Sequence, residues 1–315
     1  MRKMQDKNCS QNRLLYKIAL IKYSFSYVLV MGSIMLGRPP ISKYAECAGW
    51  EIHYLEWGEA HLPPVLAWHG LARVGQDFDA LASELANQYR IIAPDTIGRG
   101  LSQWSGDGDK NYCFEVYTQI ALELCDQLGM EKFGWIGTSM GGSLGIWAAG
   151  GLLKERISHL VINDIGPELA QNAIDRIITY VGKPIEFTSM NELERYLRNI
   201  YAPFGYIPGD EWRKIVEASC RRMPNGKLST HYDPEIVRQF VAHPDDWCLW
   251  SQYDAIRSKT LLLRGEYSDL LTEETTQKML NRGPHPALLE CKGCGHAPAL
   301  NVPFQTDTIK EFLSS

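Results

Sequence analysis

At 315 residues, 45% apolar and 22% charged, the chain has the size and balance of a globular α/β domain with an insertion and a large buried core. A net charge of −5, with no Lys/Arg-rich block beyond the N-terminus, leaves no electrostatic footprint for nucleic acid and points to a small neutral or apolar substrate. Eight cysteines (Cys9, Cys47, Cys113, Cys125, Cys220, Cys248, Cys291, Cys294) are scattered rather than packed into a disulfide framework, so a reducing, cytoplasmic setting is expected.

Residues 1–44 read as a leader or extension. A basic, polar start runs into the uncharged stretch "YSFSYVLVMGSIMLG", short of the roughly 18–20 apolar residues that span a bilayer. The expectation is that Met31 or Met35 is the natural start. A membrane anchor or signal, and an added helix or disordered arm, are the other readings.

Further on, strand and helix patterns alternate. "EIHYLEWG" alternates as a strand and "PPVLAWHG" is a short apolar run closed by glycine. "DFDALASELANQ" has helical periodicity, with Phe78, Leu81, Ala82 and Leu85 on one side. "YRIIAPD" is a buried strand, "EVYTQIALELCDQLG" an amphipathic helix stopped at Gly129, "KFGWIGTSM" a strand and "GGSLGIWAAGGLL" a small-residue helix. "ISHLVINDIG" is the next strand. Much later come "TLLLRG", a helix capped by Thr272, the strand "ALLECKG" and a closing helix "PFQTDTIKEFL". The alternation predicts an α/β fold with a doubly wound, mostly parallel sheet. The core is divided into 45–167 and 259–315, interrupted between its sixth and seventh strands by residues 168–258. That segment shows helical periods, dense aromatics and no convincing buried strand, and reads as a helical lid.

"GTSMG", Gly137–Gly141, carries the chemistry. A strand precedes this G-x-S-x-G and a small-residue helix follows, the setting of a nucleophile elbow. Such a turn presents Ser139 above the carboxyl edge of the sheet, with the N–H groups of the next helix aimed at the same spot. A serine needs a base, and the base an acid. Of eight histidines only His296, in "CGHAP" after the last strand, follows Ser139 and a candidate acid at a strand's carboxyl end. The expected acid is Asp269, on the loop after "TLLLRG"; Glu266, nearer that strand's end, and Asp164, one strand earlier, are the alternatives. Asp164 could equally cap a turn. The backbone N–H groups of Met140 and Leu71 are the expected oxyanion donors. Trp68, His69 and Arg73 near that loop, and Phe204, Trp247 and Trp250 in the insertion, are candidate substrate contacts. His69 also reads as a structural hydrogen-bonder, and Arg73 as a solvated cation.

The pair Cys291 and Cys294 has C-x-x-C spacing, but no second ligand pair exists for zinc, Gly295 separates it from the histidine as haem attachment forbids, and it does not open a helix as redox dithiols do. Cys291 is expected to be a buried strand residue and Cys294 a non-catalytic loop residue near the site whose alkylation would crowd His296; no metal or cofactor is expected.

Taken in order, "HG" at 69–70, "PDTIGRGLS" at 94–102, "GTSMGG" at 137–142, "YSDLL" at 267–271 and "GCGHAP" at 293–298 resemble the α/β-hydrolase superfamily, over residues 45–315. The resemblance makes Asp95 a structural residue of a tight crossing. It implies a cofactor-independent hydrolase working through Ser139 on a small-molecule carboxylic ester with apolar groups. A C–C bond hydrolase of the meta-cleavage type is the alternative; there the elbow is similar, but Thr138 and "HGLAR" depart from that branch. A ligand receptor on the same fold is the third reading. A membrane partner is expected only if the leader is native.

Overall fold

The structure, a computed structural model, describes residues 39–315. The expectation for the leader therefore lies largely outside the described residues. Among the described residues eleven strands occur in chain order: β1 (Ile41–Cys47), β2 (Trp50–Trp57), β3 (Pro64–Trp68), β4 (Arg90–Pro94), β5 (Phe133–Thr138), β6 (Ile157–Asn163), the short β7 (Glu186–Phe187), β8 (Cys220–Arg222) and β9 (Leu228–Thr230), then β10 (Lys259–Gly265) and β11 (Ala287–Cys291). Eight of them form one sheet in the order β1-β2-β4-β3-β5-β6-β10-β11. The β1–β2 and β2–β4 pairs are antiparallel and every other pair is parallel.

The central strands are nearly continuous apolar runs because helices cover both faces, leaving no side for polar alternation. β1 differs: most of it is exposed or half-buried, as an edge strand permits. It begins at Ile41, so residues 41–44, expected in the leader, belong to the sheet. The strand's polar residues pair across to β2, Ser42 Oγ to His53 Nε2 at 2.8 Å and Lys43 Nζ to Glu56 Oε2 at 2.5 Å. Pairing partners of this kind are invisible to a one-strand pattern.

The long insertion leaves β6 at its carboxyl end and returns at β10. Helices Gln171–Val181, Met190–Ile200 and Gly209–Ala218 fall where the periodicity placed them. The expectation of no buried strand here is corrected by β9, which forms a small antiparallel sheet with β7 and β8. Strands of two and three residues are too short to show a period. Part of the insertion has its own core, built on Phe187, Leu193, Leu197, Trp212 and Leu228. The remainder joins the main core, where Trp247 packs on Phe114 at 5.3 Å and on Phe240 at 4.4 Å between ring centroids. Among the described residues, no helix is long and apolar enough to cross a membrane.

Candidate active site

The turn between β5 and the helix Met140–Gly150 holds Ser139 at φ 53° and ψ −118°, a region that non-glycine residues rarely occupy. Its neighbours explain why the turn tolerates little else. A Cβ on Gly137 would sit 2.1 Å from the Gly141 carbonyl oxygen, and one on Gly141 would sit 2.0 Å from the Trp68 carbonyl oxygen. Both obstacles are backbone and cannot move aside. The strained geometry is pinned by the Ser139 N–H, which donates to the Asn163 carbonyl at 2.9 Å, and by the Ser139 carbonyl, which accepts from Gly142 and Ser143 at 2.7 and 3.0 Å.

A hydrogen-bonded chain runs from this serine. Ser139 Oγ lies 2.8 Å from His296 Nε2, and His296 Nδ1 lies 2.8 Å from Asp164 Oδ2. The carboxylate of Asp164 is fully buried. Being acceptor-only, it fixes the tautomer: Nδ1 carries the proton, and Nε2 is free to accept from the serine. Asp164 is held in turn by the Gly265 N–H on Oδ1 and the Ser268 hydroxyl on Oδ2, both at 2.7 Å.

The acid beside His296 is thus Asp164, where Asp269 was expected. Asp269 follows the expected strand, but its carboxylate turns to the rim and pairs with Arg176 of the insertion at 2.6 Å, with both side chains more than half exposed. Glu266 is also diverted. Its oxygens accept from the Gly293 N–H at 3.0 Å and face the Lys292 ammonium at 3.4 Å, and these donors hold it below the ordinary carboxylate range, the Gly293 N–H foremost. Asp164 carried a signal comparable to that of Asp269, a carboxylate in the segment after an apolar strand, in "VINDIGP". Two supporting side chains had no signal of their own. Ser268 holds Asp164, while Asn163 donates to Thr138 Oγ1 at 3.1 Å and to the Pro298 carbonyl at 2.9 Å, tying the histidine loop to β6.

The loop after β3 closes over the serine. A Cβ on Gly70 would lie 3.6 Å from Ser139 Cβ. The Leu71 N–H donates to no group among the described residues. Met140 is the first residue of its helix, so its N–H has no intrahelical acceptor.

His69 lines the cavity wall, yet its nitrogens are engaged: Nδ1 donates to the Gly70 carbonyl at 2.7 Å and Nε2 accepts from the Thr96 N–H at 2.9 Å. Burial brings this ring down to about 4. Asp95 is structural as expected, taking N–H groups of Gly75 and Leu101 and the His53 ring at 2.8, 3.0 and 2.7 Å.

Ser139 and His296 open into a cavity of about 540 Å³ roofed by the insertion. Phe204 and Arg73 line it. Phe204 stacks on Tyr201 at 4.7 Å. Arg73 is not solvated: it is buried, bonded to both oxygens of Asp77 and to Ser219, with its guanidinium 4.6 Å above the Tyr201 ring. Three candidate contacts lie elsewhere. Trp68 is buried behind the site, stacked on Trp135 at 5.5 Å with its N–H on Thr96. Trp247 belongs to the main core, and Trp250 sits edge-on to Tyr253 under Arg282. An indole large enough to line a pocket is equally suited to filling a core, and the sequence pattern does not separate the two uses.

Cys291 and Cys294 are free and buried, with both thiols pushed up chiefly by burial, Cys291 to about 12. No cluster of three or more His, Cys, Asp or Glu suited to a metal ion occurs among the described residues.

Comparison with known proteins agrees with this geometry. A family model described as alpha/beta hydrolase fold matches residues 63–200. A 3-hydroxybutyrate-oligomer hydrolase of Cupriavidus necator is 37% identical over 271 residues, covering 83% of this chain and 92% of that protein. A serine hydrolase-like protein of Danio rerio is 36% identical over 239 residues, 72% of each chain. Among solved structures, an alpha/beta hydrolase from Novosphingobium aromaticivorans superposes with a TM-score of 0.77 at 31% identity, covering 88% of this chain and 98% of that one. The sheet order, the elbow and these relatives lead to one conclusion: the chain belongs to the α/β-hydrolase family and is a hydrolase.

Proposed function

We propose that the protein is a serine carboxylic-ester hydrolase, with Ser139 as nucleophile, His296 as general base and acid, and Asp164 as the group that orients His296. The observation that carries this reading is the unbroken Ser139–His296–Asp164 chain, with both links at 2.8 Å, at the floor of a largely apolar cavity.

In the acylation step Ser139 Oγ forms a bond to the ester carbonyl carbon while His296 Nε2 takes its proton. Negative charge then develops on the carbonyl oxygen, where the N–H groups of Leu71 and Met140 are available as donors. Collapse of the tetrahedral adduct breaks the bond to the alcohol oxygen, which leaves with the proton from His296. Water, deprotonated by the same ring, attacks the acyl-serine and releases the acid. Asp164 accepts from His296 Nδ1 and stabilises the imidazolium that forms transiently.

Esters of short hydroxy acids are the first substrates to try, because the Cupriavidus necator relative is named for 3-hydroxybutyrate oligomers. The test is turnover of p-nitrophenyl butyrate and of 3-hydroxybutyrate oligomers by the wild type and by Ser139→Ala. Loss of about 10⁵-fold or more in kcat is expected of the variant. Comparable rates in the two proteins would overturn the assignment.

A further inference from the structure

Four tyrosines of the insertion, Tyr180, Tyr196, Tyr201 and Tyr232, line the cavity that contains Ser139 and His296. They come from separate elements: the helix Gln171–Val181, the helix Met190–Ile200, the residue after that helix, and the segment after β9. Arg73 stands over the Tyr201 ring, clamped by Asp77 and Ser219. Among the described residues, the hydroxyls of Tyr180 and Tyr196 make no side-chain or backbone hydrogen bond. The apolar part of the wall is formed by Leu71, Ile177, Val181, Ile200, Phe204 and Ile207, while Arg176, Asp210, Glu211, Lys214 and Asp269 add charge to the lining.

This wall suits a particular substrate chemistry. An alkyl chain would fill the apolar stretches but strip water from phenol O–H donors and give them no acceptor. A chain with ester carbonyls every few backbone atoms brings both the apolar groups and the acceptors. A cavity of about 540 Å³ is within the roughly 300–1,000 Å³ that holds drug-sized ligands, enough for more than one hydroxyacyl unit. Resting on the ester-hydrolase reading above, we propose that Tyr180, Tyr196, Tyr201 and Tyr232 form a hydroxyl girdle that donates to the internal ester carbonyls of an oligo(hydroxyacyl) substrate, so that the enzyme selects oligoesters over alkyl esters of equal length.

The experiment compares kcat/KM for a 3-hydroxybutyrate trimer with that for p-nitrophenyl octanoate, in the wild type and in the single variants Tyr180→Phe, Tyr196→Phe, Tyr201→Phe and Tyr232→Phe. Phenylalanine keeps the ring and removes only the hydroxyl. Each substitution is expected to lower the trimer-to-octanoate ratio about 3- to 10-fold, mostly through KM on the trimer. Tyr180 is 42% exposed, so its variant keeps the test open if the buried Tyr232→Phe folds poorly. Ratios unmoved in all folded variants overturn the girdle. Failure of the wild type on both substrates overturns the hydrolase reading instead; cleavage of the octanoate alone leaves that reading standing and sinks the girdle.

Discussion

Replacing Asp164 by asparagine separates the two carboxylates that compete for the triad. With Oδ1 still accepting from the Gly265 N–H, the new amide nitrogen must take the place of Oδ2, facing His296 Nδ1 and the Ser268 hydroxyl. Two donors would then meet at Nδ1. The ring escapes by moving its proton to Nε2, the atom that must accept from Ser139 Oγ. The wrong tautomer, with the geometry otherwise kept, costs about 10³- to 10⁴-fold in kcat, or about 4–5.5 kcal/mol of transition-state stabilisation. Asp269→Asn removes only an exposed pair with Arg176, worth about 0–1 kcal/mol, so its effect on kcat/KM should stay within about fivefold. Both variants are assayed with p-nitrophenyl butyrate at neutral pH, with a thermal melt confirming that each is folded. Asp164→Asn within about tenfold of the wild type, or Asp269→Asn slower by about a hundredfold, would refute the reasoning.

Acid should weaken the fold through His69. Its ordinary value of 6.5 is brought to about 4 by burial, so between those limits the unfolded chain binds a proton that the folded protein refuses. The stability it contributes is complete above about 6.5 and drains away as the pH falls toward about 4; His231, also lowered by burial, acts in the same direction. A melting temperature that stays flat across that window would contradict this. For the cysteines, iodoacetamide at neutral pH should mark the exposed Cys248 first and spare Cys294, whose thiol is buried and raised. Cys294→Ser should turn over within about threefold of the wild type. Inactivation in step with Cys294 labelling of the native protein, followed by peptide mass spectrometry, would show that the thiol is accessible after all.

Ser139 and His296 could be recognised from sequence because each sits in a local pattern with one mechanical use, a G-x-S-x-G between strand and helix and a histidine after the last strand. The choice among acids was of another kind. Asp164 and Asp269 both follow strands of one parallel sheet, and β6 and β10 are neighbours, so either loop is near the histidine. What decides is side-chain direction at φ 60° for Asp164, together with donors from Gly265 and Ser268, which lie 101 and 104 residues away along the chain. Such long-range pairings leave no periodic trace. The same limit applies to β1, recognisable only once β2 is beside it, and to Trp247, an aromatic whose partners Phe114 and Phe240 made it core.

The insertion grips the histidine loop partly through main chain, beside the Asn301 side chain's bonds to Tyr206 and Glu211. The Gly295 N–H donates to the Pro203 carbonyl at 2.7 Å and the Ala299 N–H to the Phe204 carbonyl at 3.1 Å, one on either side of His296. Carbonyl oxygens are present whatever the side chain, so this attachment survives sequence drift in the roof. At its start, the roof departs immediately after Asp164, which is itself fastened to residues beyond the far end of the segment. Lengthening a loop whose ends are already held is cheap, about 0.6 kcal/mol for each doubling. A fold arranged in this way can exchange the walls of its cavity across evolutionary time while Ser139, His296 and Asp164 keep their places.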